Sequence, residues 1–352
     1  SYVGQILVPT YPMIGNYGTS EADVESTRIQ VNGGVVREDC EEPSHPLSEG
    51  TIHDYLLKNG IPGISGVDTR AITRKLRSAG VMMGIITPNE DGESALATLA
   101  KAPRYGEVDV VGAVSTNEIY AWKGDAGERS RAYYDLRGRA RQGGMGIDVE
   151  WGVGKHERDD DLTKVVVNDY GVKLSILRSL RARGCEVIVV PDDATADDIL
   201  SHNPDGVMLS PGPGDPELLD RSVATAKGLI GKVPIMGICL GHQVIARAFG
   251  ASTFKLHFGH RGGNQPVKDL ESGRVYVTAQ NHGYAVDPAG LSDEMVVSHI
   301  NLNDQTVEGL RHRDLPIMTI QYHSEASPGP HDSEYLFDRF VGLIRAGMGA
   351  KV

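Results

Sequence analysis

A cysteine flanked by two glycines stands between a predicted strand and a predicted helix. The run from Gly237 to Gly241 reads Gly-Ile-Cys-Leu-Gly, with Cys239 at its centre. In a nucleophile elbow the turn from strand to helix is so sharp that the residues two positions either side must be small. The turn would place the sulfur at a helix N-terminus, which favours thiolate, and the Leu240 N–H would face a forming oxyanion. The pattern predicts a cysteine nucleophile, although a chain with 43 glycines can match it by chance.

A histidine and a glutamate follow the last predicted strand of the chain. They are His323 and Glu325, which end the run that begins at residue 317. Side chains at i and i+2 of an extended chain point to the same side. Glu325 is therefore expected to fix the tautomer of His323, which would serve as the base for a cysteine nucleophile. One histidine among 12 is a weak signal, but this one ends an apolar strand.

A second glycine-rich loop follows another predicted strand at residues 210–216. Gly212 and Gly214 let backbone N–H groups approach a ligand because no side chain blocks them. A plain turn is an equally good interpretation of this loop alone.

His257 and His260 have H-x-x-H spacing but no evident third ligand, so no metal site is predicted. The sequence contains no recognisable phosphate loop for ATP.

Regular alternation of strands and helices begins at about residue 162. Apolar strands are predicted at residues 165–167, 186–190, 207–209, 233–238, 274–278, 295–298 and 317–322, and helices at 173–183, 196–201 and 240–249. Unbroken apolar strands between helices indicate a parallel sheet covered on both faces. Ligands in such sheets bind beyond the carboxyl ends of the strands. We therefore predict an α/β fold, with a C-terminal parallel-sheet domain at residues 162–352.

The first part of the chain has a more mixed pattern. Residues 1–118 are predicted to form a smaller mixed α/β domain, with strands at 5–8 and 81–87 and helices at 51–59 and 68–80. Residues 119–161 contain a basic stretch, several glycines and an acidic stretch, and are predicted to be an exposed linker. No function is assigned to the basic stretch at 129–141.

Composition limits the class of protein. A chain of 352 residues fits two domains, and a formal charge of −12 disfavours nucleic acid as a partner. Three scattered cysteines argue against a disulfide framework, and Cys185 is interpreted as a small buried hydrophobe. No apolar run is long enough to span a bilayer and no leader is evident, so a cytoplasmic location is expected, without membrane association.

The three motifs together resemble those of class I (triad) glutamine amidotransferases. They lie at residues 210–216, 237–243 and 323–325. Five other stretches are similar to the small chain of carbamoyl-phosphate synthetase, at residues 10–18, 66–70, 258–264, 280–286 and 325–331. Ser324 stands where that family usually has proline, and Pro211 where many members have asparagine. Family members also begin further upstream, so we expect the first strands of the N-terminal domain to be missing.

The resemblance implies a role for individual residues. Cys239 would be the nucleophile, His323 the general base and acid, and Glu325 the residue that orients it. The oxyanion would be held by the N–H groups of Gly212 and Leu240. Glutamine would be held by Ser1, Gly212, Gly214, Leu240, Gln243, Asn281, Gly283 and Tyr284.

The resemblance also implies an activity and a partner. The chain would hydrolyse L-glutamine to glutamate and ammonia, and pass the ammonia to a large synthetase subunit that makes carbamoyl phosphate from bicarbonate and ATP for arginine and pyrimidine biosynthesis. The two subunits would form a heterodimer or a higher assembly of heterodimers. No cofactor is expected in this chain, while ATP and Mg²⁺ are expected on the large subunit.

Three other functions remain open at this point. An amidotransferase subunit for GMP, anthranilate or CTP synthesis would share the triad but lack the stretches at residues 10–18 and 66–70. A non-catalytic regulatory subunit would release no glutamate under any condition, and the intact triad argues against it. A peptidase would need an open substrate cleft.

Overall fold

The computed structural model describes residues 1–104, 108–124 and 162–349. Among these residues, no helix has the length and apolar character that a membrane crossing requires. The basic stretch at 129–141 and most of the predicted linker lie outside the described residues.

The N-terminal region is built from short strands and three helices. Strands β1, β3 and β5 form a parallel sheet, while β2 and β4 form a separate parallel pair. The elements are β1 (Ile6–Leu7), β2 (Met13–Ile14), β3 (Gly33–Val35), β4 (Glu38–Asp39), α1 (Ile52–Lys58), β5 (Gly63–Ile64), α2 (Thr69–Ala79) and α3 (Gly92–Leu99). A short 3₁₀ helix, Glu21–Asp23, also lies here.

Capping side chains explain where the two predicted N-terminal helices begin. The Thr51 side chain accepts a hydrogen bond from the Asp54 N–H at 3.0 Å, and Asp68 accepts one from the Ala71 N–H at 2.9 Å. Both helix predictions are confirmed within a residue or two. The strand predicted at 81–87 is wrong: the Val81 N–H donates to the His257 carbonyl oxygen at 3.3 Å, but the run forms no strand pairing among the described residues, and Val81 remains 44% exposed.

The C-terminal domain is organised around a ten-stranded sheet. Its elements are β6 (Tyr120–Trp122), β7 (Thr163–Asp169), α4 (Leu174–Ala182), β8 (Cys185–Pro191), α5 (Ala196–Ser201), β9 (Gly206–Leu209), α6 (Asp220–Leu229), β10 (Ile235–Ile238), α7 (Leu240–Ala248), β11 (Ser252–Asp269), β12 (Val275–Asp287), β13 (Met295–Asn301), β14 (Val307–His312), β15 (Ile317–Ile320) and α8 (Tyr335–Gly349). The 3₁₀ turns Pro216–Leu218 and Pro288–Gly290 complete the domain.

Five neighbouring strands in the middle of this sheet are parallel, in the order β15, β10, β9, β7, β8. The predicted parallel sheet is therefore confirmed for this part. Strands β11 to β14 add an antiparallel wing beside β15. The longest of them, β11, was not predicted, because glycines such as Gly259 and Gly262, both at positive φ, interrupt its apolar pattern.

Residues 120–122 lie in the predicted linker but form an outer strand of the large sheet. In this strand, β6, Ala121 pairs with Ile188 of β8 in antiparallel register. The linker prediction is wrong for these three residues. Their backbone pairs with the edge of the sheet at β8, and the alternate side chains of Tyr120 and Trp122 pack against the core.

Two apolar layers cover the faces of the parallel strands. Successive residues of a strand point to opposite faces, and so Val166 of β7 packs with α5, α6 and α7, while Val165 and Val167 pack with α4 and α8. All three valines are fully buried. Packing on both faces holds the carboxyl ends of β9, β10 and β15 in fixed positions. The candidate catalytic groups extend from those ends. Cys185 is buried in the same core, as predicted.

Candidate active site

Cys239 occupies the sharp turn between β10 and α7. Its backbone has φ 52° and ψ −103°, a conformation that is uncommon for residues with a side chain. A Cβ on Gly237 would come within 2.6 Å of Ile245 Cδ1, and a Cβ on Gly241 within 2.1 Å of the Leu209 carbonyl oxygen. Neither position accepts a side chain, so the nucleophile-elbow geometry predicted from the two glycines is confirmed.

The neighbouring strand connects this turn to His323. The Cys239 N–H donates to the carbonyl oxygen of Ile320, the last residue of β15, at 2.8 Å. Three residues further on, the His323 N–H donates to the carbonyl oxygen of Ala279 in β12 at 2.9 Å. These two backbone hydrogen bonds fix the cysteine and the histidine relative to the same strand.

The three predicted catalytic side chains lie together in a buried row. His323 Nδ1 lies 2.7 Å from Glu325 Oε1, which leaves the other ring nitrogen for Cys239, with which His323 also hydrogen-bonds. All three residues are no more than 6% exposed. The sequence predicted that Glu325, two residues after His323, would bring its carboxylate to the imidazole, and the structure shows this contact. A cysteine, a base and an orienting acid are therefore in contact.

Lys173 extends the row beyond the glutamate. Its ammonium nitrogen lies 3.2 Å from Glu325 Oε1 and also donates to the carbonyl oxygen of Ala326. Burial alone would raise the pKa of Glu325, but Lys173 and His323 outweigh it and lower that pKa to about 2. Burial likewise opposes a charged imidazole, yet Glu325 and Cys239 raise the pKa of His323 to about 9.

Sequence reasoning missed Lys173, which it treated only as the start of a helix. The residue lies just after the carboxyl end of β7 and just before α4. Ligand-binding and catalytic groups concentrate at this edge of a parallel sheet, so its position was the available signal. What the sequence could not supply is the contact with Glu325, which lies after β15, far along the chain from Lys173.

Backbone groups for an oxyanion lie where β9 and β10 end. Leu240 is the first residue of α7, and the first N–H groups of a helix have no acceptor within it. The loop after β9 passes close by: a Cβ on Gly212 would lie 2.3 Å from the Tyr170 carbonyl oxygen and 2.7 Å from Leu240 Cδ2. Gly212 is thus required for the loop after β9 to pass this close to Tyr170 and Leu240. This close approach favours the interpretation that the loop binds a ligand over that of a plain turn.

All of the residues predicted to hold glutamine line one cavity together with Cys239. We call it the active-site cavity. The predicted residues around it are Ser1, Gly212, Gly214, Leu240, Gln243, Asn281, Gly283 and Tyr284, and the lining also includes Gln5, Pro213, Arg261 and His282, which were not predicted.

Two hydrogen bonds fix the side chain of Gln243. Its side-chain NH₂ donates to the Tyr284 carbonyl oxygen at 2.8 Å and to Gln321 Oε1 at 2.9 Å. These bonds tie α7 to β12 and to the segment that follows β15. The part of Gln243 that faces the cavity is therefore fixed before any ligand binds.

The histidines outside the triad are arranged differently from what the sequence suggested. The pair His257 and His260 does not form a cluster; instead, His260 lies with His282 and Glu308 in a buried group of possible metal ligands. His257 is exposed and contacts the Ser78 carbonyl oxygen. The H-x-x-H spacing was therefore not the relevant signal, because β-sheet pairing decides which histidines meet.

Comparison with known proteins agrees with this geometry. Residues 165–343 match the family model described as glutamine amidotransferase class-I, and residues 1–86 match that of the carbamoyl-phosphate synthase small chain, CPSase domain. The proteins named carbamoyl phosphate synthase small chain include one from Syntrophotalea carbinolica, 46% identical over 98% of this chain and 86% of its own length. The chain belongs to the carbamoyl phosphate synthase small-chain family.

Further relatives span distant organisms. The carbamoyl phosphate synthase small chain of Staphylococcus haemolyticus is 45% identical over 98% of this chain and 84% of its own length. That of Methanopyrus kandleri is 44% identical over 98% of this chain and 87% of its own length. As a member of this family the chain is a glutamine-hydrolysing synthase small subunit with a class I amidotransferase domain. A subunit for GMP, anthranilate or CTP synthesis, one of the alternatives left open, does not fit these matches.

Proposed function

We propose that this chain hydrolyses L-glutamine with Cys239, His323 and Glu325 and delivers the ammonia to a large synthetase subunit. The observation that carries the proposal is the buried row of sulfur, imidazole and carboxylate at the sharp turn between β10 and α7. A cysteine hydrogen-bonded to a histidine, itself oriented by a carboxylate, is the arrangement of a nucleophilic triad.

In the proposed reaction the Cys239 sulfur attacks the side-chain amide carbon of glutamine. The N–H groups of Leu240 and Gly212 hold the oxyanion of the tetrahedral intermediate. The His323 imidazolium gives its proton to the departing ammonia, and a γ-glutamyl thioester remains on the sulfur. Neutral His323 then takes a proton from water, whose oxygen attacks the thioester and releases glutamate.

Unpaired polar atoms around the active-site cavity support an amide and amino-acid ligand. Ser1 Oγ and Asn281 Oδ1 are buried and have no hydrogen-bond partner among the described residues, and both residues line the cavity. Buried polar atoms without partners are costly. A ligand with several donors and acceptors, such as glutamine, would satisfy them.

The fate of the ammonia follows from family membership. The relatives are named small chains of carbamoyl phosphate synthase, which supports a large partner subunit that carries ATP and Mg²⁺ and makes carbamoyl phosphate from bicarbonate. The proposal extends to arginine and pyrimidine biosynthesis as the processes supplied.

The test is glutamate release from glutamine by the wild type and by Cys239→Ser, each with and without the large subunit. We expect activity in the wild type, an increase with the large subunit, and loss in the variant. The variant complex should still make carbamoyl phosphate from added ammonia, which shows that it is folded and assembled. Equal glutamate release by both proteins would overturn the catalytic role, and the absence of release under all conditions would favour a regulatory subunit.

A further inference from the structure

Three buried side chains with metal-ligating atoms meet beside the strand that lines the active-site cavity. They are His260 of β11, His282 of β12 and Glu308 of β14, and their ligand atoms lie within 4.8 Å of one another. The triad uses none of them. His282 also lines the active-site cavity, between Asn281 and Gly283, so the cluster adjoins the cavity wall.

Outer contacts fix which nitrogen of each imidazole carries the proton. His282 Nδ1 lies 2.8 Å from the Tyr284 carbonyl oxygen, an obligate acceptor, so this nitrogen is protonated. His260 Nε2 lies 2.7 Å from Asp304 Oδ2, again an acceptor. In their neutral forms both rings therefore turn a lone pair inward, from His260 Nδ1 and His282 Nε2. Metal-ligating histidines commonly show this arrangement, in which a carbonyl or carboxylate holds the outer N–H.

The amide of Gln280 adds a third acceptor between the rings. The Thr278 hydroxyl donates its proton to the Gln265 carbonyl oxygen at 2.9 Å, so it accepts from the Gln280 NH₂ at 3.1 Å. This orients Gln280 Oε1 inward, where it lies 2.9 Å from His260 Nδ1 and 2.9 Å from His282 Nε2. With both rings neutral, two nitrogen lone pairs and an amide oxygen face one another; Asn301 Nδ2, which donates to Glu308 Oε1 at 3.0 Å, lies 3.5 Å from His260 Nδ1.

Glu308 completes the group and is itself incompletely paired. It is fully buried; its Oε1 lies 3.3 Å from His260 Nδ1 and accepts from Asn301 Nδ2 at 3.0 Å. Its other oxygen, Oε2, is buried and has no hydrogen-bond partner among the described residues. A buried carboxylate oxygen without a partner points to a missing positive charge.

A single proton does not satisfy this cluster. A proton on His260 Nδ1 would serve Gln280 Oε1 or Glu308 Oε1, but the contact between His282 Nε2 and Gln280 Oε1 would remain one between two acceptors. A second proton, on His282 Nε2, would place two charged imidazole rings side by side in a buried site, with their ring centroids 4.8 Å apart. A divalent cation, which attracts all the inward atoms at once, satisfies them together.

We propose that His260 Nδ1, His282 Nε2 and the Glu308 carboxylate bind a divalent transition-metal ion of the zinc type, with Gln280 Oε1 as the nearest fourth donor. Two imidazoles and one carboxylate suit this class of ion. Zinc ligands in a tetrahedral site lie roughly 3.3 Å apart, with bonds of about 2.0–2.2 Å. The ligand atoms of the three side chains, which lie within 4.8 Å of one another, would move closer together to reach that spacing. The ion would cross-link β11, β12 and β14 behind Asn281 and Gly283, and so has a structural role.

Metal analysis of the untagged chain tests the proposal directly. The chain is incubated with Zn²⁺, passed through gel filtration and analysed for zinc; in parallel, Co²⁺ is titrated into chelator-treated protein and its visible absorption is recorded. We expect one zinc per chain and a tetrahedral Co²⁺ spectrum. Zinc well below one per chain, together with no Co²⁺ spectrum, would overturn the proposal and assign the cluster to a protonated His260.

Matched variants distinguish this site from adventitious binding. His260→Gln removes a ligand and should abolish stoichiometric zinc, while His257→Gln, at the other histidine of the H-x-x-H pair, should keep it. Asp304→Asn removes only the outer contact and should weaken zinc affinity about 10–100-fold. Equal zinc content in His260→Gln and His257→Gln would contradict the proposed ligand set. Because these readouts are metal content and spectrum, they do not depend on glutaminase activity.

Discussion

Two buried clusters of histidine and glutamate lie beside strand β12, and their charged and acceptor groups are arranged differently. In the first, the charges alternate from Lys173 through Glu325 to His323, and the pKa of His323 is raised to about 9. In the second, acceptor atoms of His260, His282 and Glu308 face one another; burial lowers the pKa of His282, while contacts with Glu308 and Asp304 outweigh burial and raise the pKa of His260. Burial opposes imidazole charge in both.

The difference shows that neighbouring groups, rather than residue type or burial, decide what a buried histidine can do. A histidine between a carboxylate and a thiol is suited to holding and transferring a proton. A neutral histidine with its outer N–H fixed by a carbonyl oxygen is suited to donating a lone pair to a cation. The same pair of residue types thus supports catalysis in one place and structure in another.

The largest contrast is expected when the same substitution is made in both clusters. His323→Gln should reduce kcat for glutamine hydrolysis by about 10⁴–10⁶-fold, since it removes the base and acid of the triad. His260→Gln should change kcat by less than about tenfold, because His260 does not line the cavity. Initial rates of glutamate release measure both, with circular dichroism as the control for folding. Similar losses of kcat in the two variants would contradict the proposal that His323 is catalytic and His260 is structural.

Replacing the two carboxylates gives the next contrast. Glu325→Gln should lower kcat about 10²–10⁴-fold, because the amide cannot stabilise the imidazolium. Glu308→Gln should leave kcat within about tenfold and act on metal content instead. Steady-state kinetics measure the first effect and zinc analysis the second. A catalytic loss for Glu308→Gln as large as that for Glu325→Gln would contradict the assignment.

Lys173→Met should have a smaller effect, through Glu325 rather than through the substrate. Without the ammonium, the pKa of Glu325 rises and its carboxylate loses the ion pair that helps to hold it against His323, so we expect kcat to fall roughly tenfold. Lys173→Arg keeps the charge and should restore part of the rate. The measurement is kcat across pH; an unchanged rate and pH profile in Lys173→Met would show that the ion pair does not act on the triad.

The smallest effect is a dependence of folding stability on pH. The pKa of His323 is raised from 6.5 to about 9, so its contribution is fully present below pH 6.5 and is lost as pH rises towards 9. The pKa of Glu325 is lowered from 4.5 to about 2, so its contribution is present above pH 4.5 and is lost as pH falls towards 2. Urea unfolding of the wild type and His323→Gln should show a difference that shrinks between pH 6.5 and 9. A constant difference would mean that His323 is not charged in the folded chain.

How much the sequence predicts differs between the two halves of the chain. The alternation of apolar strands and helices after residue 162 indicates the parallel sheet, and the glycines around Cys239 indicate the elbow, because both depend on local pattern and local sterics. The small strands of the N-terminal region are two or three residues long, too short for a periodic signal. The strand wrongly predicted at 81–87 shows that an apolar run does not by itself establish strand pairing.

The candidate site shows the same limit. The contact between Glu325 and His323 was predictable, because residues two positions apart on an extended chain point to the same side. Lys173 was not, and neither was the group of His260, His282 and Glu308, because contacts between segments distant in sequence create both. The histidine pair that the sequence did offer, His257 and His260, is separated by the path of β11.

The central claim is tested most directly by trapping the covalent intermediate. The chain is mixed with glutamine, quenched with acid, digested and analysed by mass spectrometry, with Cys239→Ala as the control. The account predicts one γ-glutamyl group on the peptide that contains Cys239 in the wild type and none in the variant. A γ-glutamyl group on another residue, or glutamate release without any adduct and undiminished in Cys239→Ala, would contradict it.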